Sequence, residues 1–284
     1  MMAGNSVTLL ESAVLGVVQG LTEFLPISSS AHLRVLPVVF GMPDPGAAYT
    51  AVIQLGSVIA VITYFWRDLI ALAAGSFLAI KNKNLDSHDL RLSAGIIFGT
   101  IPICVLGLLL KGTLLSPDSP LRALWLVGAA SIVMGLFLVL AEKLGTQKRT
   151  LHNMGLQDGL LVGLGQALSL IPGCSRSGST LTVAMLLGLN RPDAARFSFL
   201  LGIPAIVLSG LVELKDMVDE GLGDAGLASL GVGLVVSAIV SYLSIAWLIK
   251  FLQNHSTWCF VIYRLIFGAY VLALGLGMVS PLVH

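Results

Sequence analysis

Apolar residues are grouped along this chain in long runs, not in the stripes of a soluble amphipathic helix. Runs at about 47–66, 93–110, 123–141, 195–214, 227–249 and 260–279 each approach the roughly 20 residues an α-helix needs to cross a bilayer. They predict six spanning helices. Two further apolar stretches are interrupted by polar groups: 19–32, read as QGLTEFLPISSSAH, and 157–189, which holds IPGCSRSGST. Pro26 and Pro172-Gly173 divide them, so each is predicted as two short helices around a tip. Broken backbone at membrane depth is tolerated only where protein buries it or where it lines a wet cavity. Ionisable groups there are functional candidates. The polar loops between runs fall at 67–91, 111–122, 142–153 and 213–224.

Composition supports this pattern. Of 284 residues, 56% are hydrophobic and only 11% charged, where a soluble domain carries about a quarter. The fold class expected is all-α: a polytopic membrane protein with six spanning helices and two re-entrant helical hairpins, in one membrane domain over 1–284. A net charge of +1 gives no case for nucleic acid. Cys104, Cys174 and Cys259 show no pairing or metal spacing, and Gly159 with Gly163 forms a small-xxx-small pair suited to close helix packing. The first residues lack a basic region and carry Glu11, against a cleaved signal. Lys and Arg cluster at 67–91, 143–149 and 191–196, which places those segments in the cytoplasm. The loops at 111–122 and 213–224, and both termini, then come out external.

The two broken stretches align. GVVQGLTEFLPISSS lies against GLGQALSLIPGCSRS, with Gly16 on Gly163 and Gln19 on Gln166 at an offset of 147. A one-residue gap then gives 146, with Pro26 on Pro172 and Ser29 on Ser175. The same offset takes Leu55-Gly56 to Leu201-Gly202. Three crossings separate the copies, so the second is inverted: repeat 1 over about 7–142, repeat 2 over about 155–281, with the tips meeting near the midplane.

Gln19 and Glu23, four apart, share a helix face. Ser28, Ser29 or Ser30 can cap the helix after Pro26, and Ser175 the helix after Gly173. Two helix N-termini converging there make an anion site. Arg176 adds a fork suited to phosphate oxygens, with Glu23 as its candidate partner when the site is empty. His32, one turn beyond Ser28 and Ser29, reads as an acid–base group. A cysteine-phosphatase loop at Cys174 would need arginine six positions on, where Thr180 stands. His88, His152, His255 and His284 lie in loops or at the end without metal spacing, and Arg34, Arg191 and Arg264 read as span-end anchors.

Together these motifs resemble the signature pair of the bacterial undecaprenyl-pyrophosphate phosphatases, the bacitracin-resistance membrane family. The resemblance extends through VIQLGSVIAV and FSFLLGIP to YRLIFGAYV, nearly the whole chain. It implies hydrolysis of undecaprenyl diphosphate to the monophosphate carrier for cell-wall synthesis, in a bacterial cytoplasmic (inner) membrane, with the site open to the external face and bacitracin resistance as a consequence. It implies catalytic Glu23, Ser29, His32 and Arg176, substrate-binding Gln19, Ser28, Ser175, Ser177 and Thr180, and a divalent cation, Mg2+ or Ca2+, at Glu23. Gln19 stands where the family has Glu or Gln and leaves Glu23 the only carboxylate, against a two-carboxylate metal site. Three nucleophiles remain open: Ser29 activated by His32, water activated by His32, and His32 itself, with Ser29 only donating a hydrogen bond in the last two. The partners expected are the prenyl diphosphate and membrane lipid, with a homodimer left open. The rival reading is a prenyl-phosphate transporter or flippase using the same anion site. A type-2 phosphatidic acid phosphatase is set aside, because 181–190 holds no histidine.

Overall fold

The computed structural model describes residues 7–42, 46–110, 112, 119–220 and 226–281. The described residues form ten α-helices, three short 3-10 turns and no strand. Six are long and apolar enough to cross a membrane: α3 (Gly46–Lys81), α4 (His88–Leu109), α5 (Leu124–Leu144), α8 (Arg191–Glu220), α9 (Leu227–Asn254) and α10 (Trp258–Gly275). The other four are α1 (Leu9–Phe24), α2 (Ser29–Phe40), α6 (Leu156–Ala167) and α7 (Arg176–Leu186). At 1.5 Å per residue these run only about 16–24 Å, short of a 30 Å hydrocarbon core.

Two spans outrun their expected ends. α3 continues to Lys81 through a segment read as loop, so that loop shrinks to 82–87. The residues 69–80 are mostly good helix formers, Leu and Ala above all, and Asp68, which suggested the loop, pairs with Arg196 of α8. α8 likewise begins at Arg191 and carries on through 213–220. Most of the 111–122 loop, the tip of the 41–46 loop and 221–225 lie outside the described residues.

Sequence explains the close packing. α1 lies on α9 and α6 lies on α4. A Cβ on Gly159 would overlap the backbone of Gly95, and one on Gly163 the carbonyl of Gly99, so the small-xxx-small pair does bring two backbones together. Gly16 faces the Gly233 carbonyl of α9 in the same way. Helix contacts repeat on exchange of the two halves: α1–α9 answers α6–α4, α3–α9 answers α8–α4, and α5–α10 maps onto itself.

Arg149 fastens the second hairpin at its base. It donates to both carboxylate oxygens of Asp158 at 2.8 Å and to the carbonyls of Leu187 at 2.9 Å and Asn153 at 2.8 Å. The start of α6 and the end of α7 are therefore neighbours. At the same end Glu142, closing α5, accepts from Arg191 and from the hydroxyl of Thr257 at 2.7 Å. Arg191 is an anchor, as expected.

Candidate active site

Pro26 and Pro172-Gly173 break their stretches where expected, and the breaks are adjacent. The guanidinium of Arg264, buried on α10 with 1% of its surface exposed, donates to Pro26 O at 3.0 Å, Gly173 O at 2.7 Å, Cys174 O at 3.3 Å and Ser131 O at 3.2 Å. One side chain thus holds both tips, and no carboxylate pairs with it among the described residues. Its reading as a span-end anchor is corrected: an arginine inside an apolar span carried the signal, but its partners are carbonyls that no sequence motif marks.

The tips also correct the repeat register. α2 follows Ser28 and α7 follows Ser175, each N-cap at positive φ, 77° and 67°. Ser28 and Ser175 are 147 apart, as are Pro26 and Gly173, so by turn geometry the offset stays at 147 through the tips and the one-residue gap falls after them, before Leu55-Gly56 and Leu201-Gly202. Turn geometry sets the alignment, which a match of prolines had obscured. Positive φ is uncommon for residues other than glycine and costs about 1–3 kcal/mol, a strain that collects at functional sites. Ser175 Oγ accepts from Gly178 N at 3.1 Å, whereas Ser28 makes no side-chain cap.

Glu23, buried at the end of α1, is the hub. Its Oε1 accepts from Arg176 Nη2 at 2.6 Å, and its Oε2 accepts from Ser29 Oγ at 2.7 Å and Gln19 Nε2 at 2.9 Å. Arg176 also donates to Gly202 O at 3.1 Å. The chain breaks make this cluster: α1 delivers Gln19 and Glu23 on one face, α2 brings Ser29 back over them, and α7 reaches across from the other half. A line of buried hydroxyls, Ser57 with Ser241 at 2.8 Å, backs Gln19.

His32 is not the partner of Ser29. Its Nδ1 donates to Ser28 O at 2.7 Å, which leaves Nε2 of the neutral ring to accept from the Tyr263 hydroxyl at 2.6 Å, and the ring stacks on Phe267 at 4.1 Å. Residues three apart on a helix point about 60° apart. That angle, with the pull of α10 on the imidazole, leaves the Ser29 hydroxyl to Glu23. Ser177 Oγ donates to Leu25 O at 3.0 Å, and Thr180 Oγ1 donates to Arg176 O at 2.8 Å and bonds Ser198. Ser177 ties the second tip to the first, Ser175 caps α7 and Thr180 joins α7 to α8, and none of the three lines the open cavity beside them. That cavity, about 480 Å3, is walled by Gln19, Ser29, Ser30, Leu33, Arg34, Arg122 and others including Pro172.

Among the described residues no three His, Cys, Asp or Glu side chains gather to hold a metal. Glu23 is the one carboxylate at the tips, and both its oxygens are engaged. That set fits a cation held largely by a polyphosphate ligand, with a single protein carboxylate and neutral oxygens, as Mg2+ often binds. It does not fit a prebuilt cage.

A hydroxyl on a carboxylate, a guanidinium on its far oxygen and the start of α2 opening onto the cavity suit phosphoryl transfer. Comparison with known proteins agrees. The family described as Bacitracin resistance protein BacA matches residues 12–270. The chain belongs to this family. Relatives named undecaprenyl-diphosphatase include one from Gloeobacter violaceus, 56% identical over 95% of this chain and 93% of that protein. One from Nostoc sp. is 55% identical over 94% and 84%, and one from Synechococcus elongatus is 52% identical over 95% and 94%.

Proposed function

We propose that this multi-pass membrane protein is an undecaprenyl-diphosphate phosphatase in which Ser29 and Glu23 act as nucleophile and base. It hydrolyses undecaprenyl diphosphate to undecaprenyl phosphate and inorganic phosphate, recycling the lipid carrier for cell-wall synthesis and giving bacitracin resistance. The observation that carries the site reading is the Ser29–Glu23–Arg176 chain where the two tips meet.

At rest Glu23 neutralises Arg176. The terminal phosphate takes its place on the guanidinium and on the free N–H groups of α2 and α7, and the released carboxylate accepts the Ser29 proton. Ser29 Oγ bonds to phosphorus, the bridging P–O bond breaks, and its electron pair leaves on undecaprenyl phosphate. Water then attacks phosphorus, and the Oγ–P bond breaks with its electron pair returning to Oγ. Glu23 gives its proton back to Ser29, and inorganic phosphate leaves with the oxygen and protons of the water. His32 positions the turn by holding Ser28 O, and Arg264 holds both tips rigid. Glu23 and Gln19 would hold a Mg2+ or Ca2+ brought by the diphosphate, which would supply Lewis-acid charge on the phosphoryl oxygens.

The two halves form an inverted repeat with re-entrant hairpins. The exchange of helix pairs, the short tip helices and the Arg149 clamp at one base support this reading. The site faces outward in the cytoplasmic membrane, since the cavity wall includes Arg122, at the end of a loop read as external. A lipid transporter is the second reading, favoured by the exchange symmetry, but a carrier has no need of a hydroxyl set on a carboxylate.

The test is phosphate release from a prenyl diphosphate by purified protein in detergent, where no transport can register. Wild type releases phosphate. Arg176→Lys keeps the charge but loses the fork, and activity falls at least tenfold, roughly 1.4 kcal/mol. Near-normal turnover in a folded Arg176→Lys protein would return Arg176 to a packing role.

A further inference from the structure

Two cations on the cavity wall are not used by this mechanism. Arg34 lies on α2, four residues after Ser30, so the two share a helix face about 6 Å apart along the axis. Arg122 ends the 3-10 turn Pro120–Arg122 that leads into α5, and both arginines wall the same cavity as Gln19, Ser29 and Ser30. Arg34 is engaged in an interaction of its own, whereas Arg122 has no ion-pair partner among the described residues.

Charge at the floor is already matched. Arg176 is paired with Glu23 behind Ser29, Arg264 is buried against carbonyls, and neither arginine lines the cavity in the resting structure. A prenyl diphosphate brings a second anionic phosphate, joined to the lipid, for which the floor has no further cation. We propose that Arg34 and Arg122 form a second anion subsite, which takes the lipid-bound phosphate while the terminal phosphate sits at Ser29, Glu23 and Arg176.

The order of groups along α2 matches the order of groups in the ligand. Ser29 and Ser30 stand at the tip, Arg34 one turn on, and Val38 one turn beyond, with Leu33, Met42 and Leu124 completing an apolar flank. Terminal phosphate, lipid phosphate and first isoprene units follow the same sequence. When the bridging bond breaks, its electron pair stays on the lipid phosphate, where charge rises. Guanidinium groups held there stabilise that charge more in the transition state than before it. The same subsite holds the monophosphate product until it leaves.

The subsite rests on assigning the terminal phosphate to the floor, and the test separates the two assignments. Full-length protein in detergent is assayed with farnesyl diphosphate as substrate, and with farnesyl phosphate and inorganic phosphate as competing inhibitors. In Arg122→Gln, kcat/KM falls at least tenfold and the inhibition constant of farnesyl phosphate rises by a similar factor. Inhibition by inorganic phosphate stays within twofold of wild type. Arg34→Gln does the same to a smaller extent, and Arg122→Lys recovers most of the loss. Arg176→Gln shows the opposite pattern, with inorganic phosphate weakened. Unchanged kcat/KM and unchanged farnesyl phosphate inhibition in Arg122→Gln would overturn the subsite. So would an equal loss for inorganic phosphate, which marks one undivided site or general damage. Inorganic phosphate inhibition surviving Arg176→Gln would instead overturn the floor assignment.

Discussion

The Ser29 hydroxyl has one carboxylate within reach and no imidazole, and that decides which substitutions stop the reaction. General-base assistance is worth about 10²–10⁴ in rate, so Ser29→Ala and Glu23→Gln are each expected to cut kcat at least a hundredfold. Because they act as a unit, the double variant falls little further. His32→Ala removes a brace on the Ser28 turn and costs less than either. Steady-state kinetics on the four proteins decide the point. A dead His32→Ala beside a Ser29→Ala that keeps a tenth of the rate would make His32 the activating group and Ser29 a ligand. At this scale the sequence was legible where contacts are local or complementary in charge. Gln19 with Glu23 follows from i,i+4 spacing, and Glu23 with Arg176 from the need to neutralise a buried cation. Pairing of Ser29 with His32 failed because spacing alone does not say which neighbour from another helix claims the ring. Tyr263 and Phe267 of α10 claim it.

Single elements were legible to the extent that apolar length defines them. All six spans were readable, but their ends were not where a helix continues past the bilayer, since Arg67 and Asp68 look like loop residues until Arg196 is seen beside Asp68. The hairpin base at Arg149 has no motif at all, because its partners are 38 residues away at Leu187 and nine away at Asp158. It still makes a checkable demand. Burial raises the Asp158 carboxyl, but hydrogen bonds from Arg149 and from Gly155 N outweigh it and hold the carboxyl below its ordinary value. A depressed carboxyl contributes stability at pH values above the ordinary carboxylate range and loses it as pH falls through that range and below. Arg149→Gln should therefore lower the Tm in detergent at pH 7, and the gap from wild type should narrow toward pH 3. A gap that does not change with pH would mean that Arg149 acts only through its backbone-carbonyl bonds.

At the scale of the whole molecule, exchange of helix pairs fits either parallel or inverted halves, and the proposed inversion is the one that puts the two hairpins on opposite sides of the membrane. Gly16–Gly163 and Gln19–Gln166 suggest a duplication in the sequence, and the positive-φ turns at Ser28 and Ser175 fall in that same 147-residue register, which no side-chain pattern announces. In the proposed inverted arrangement the bases of the two hairpins lie on opposite faces. Met42, at the end of the first hairpin, then lies outside with Asp219. Asn153, beside the clamp of the second hairpin, lies inside with Leu85. Single cysteines at these four positions, in a protein whose three native cysteines are serine and which still releases phosphate, can be exposed to an impermeant thiol reagent in intact cells. Labelling is expected at Met42→Cys and Asp219→Cys. Leu85→Cys and Asn153→Cys, both at exposed residues, should react only after the membrane is opened. Equal labelling of Met42→Cys and Asn153→Cys in intact cells would place both hairpin bases on one face. The repeat would then be parallel, and the two tips could not approach Arg264 from opposite sides of the bilayer.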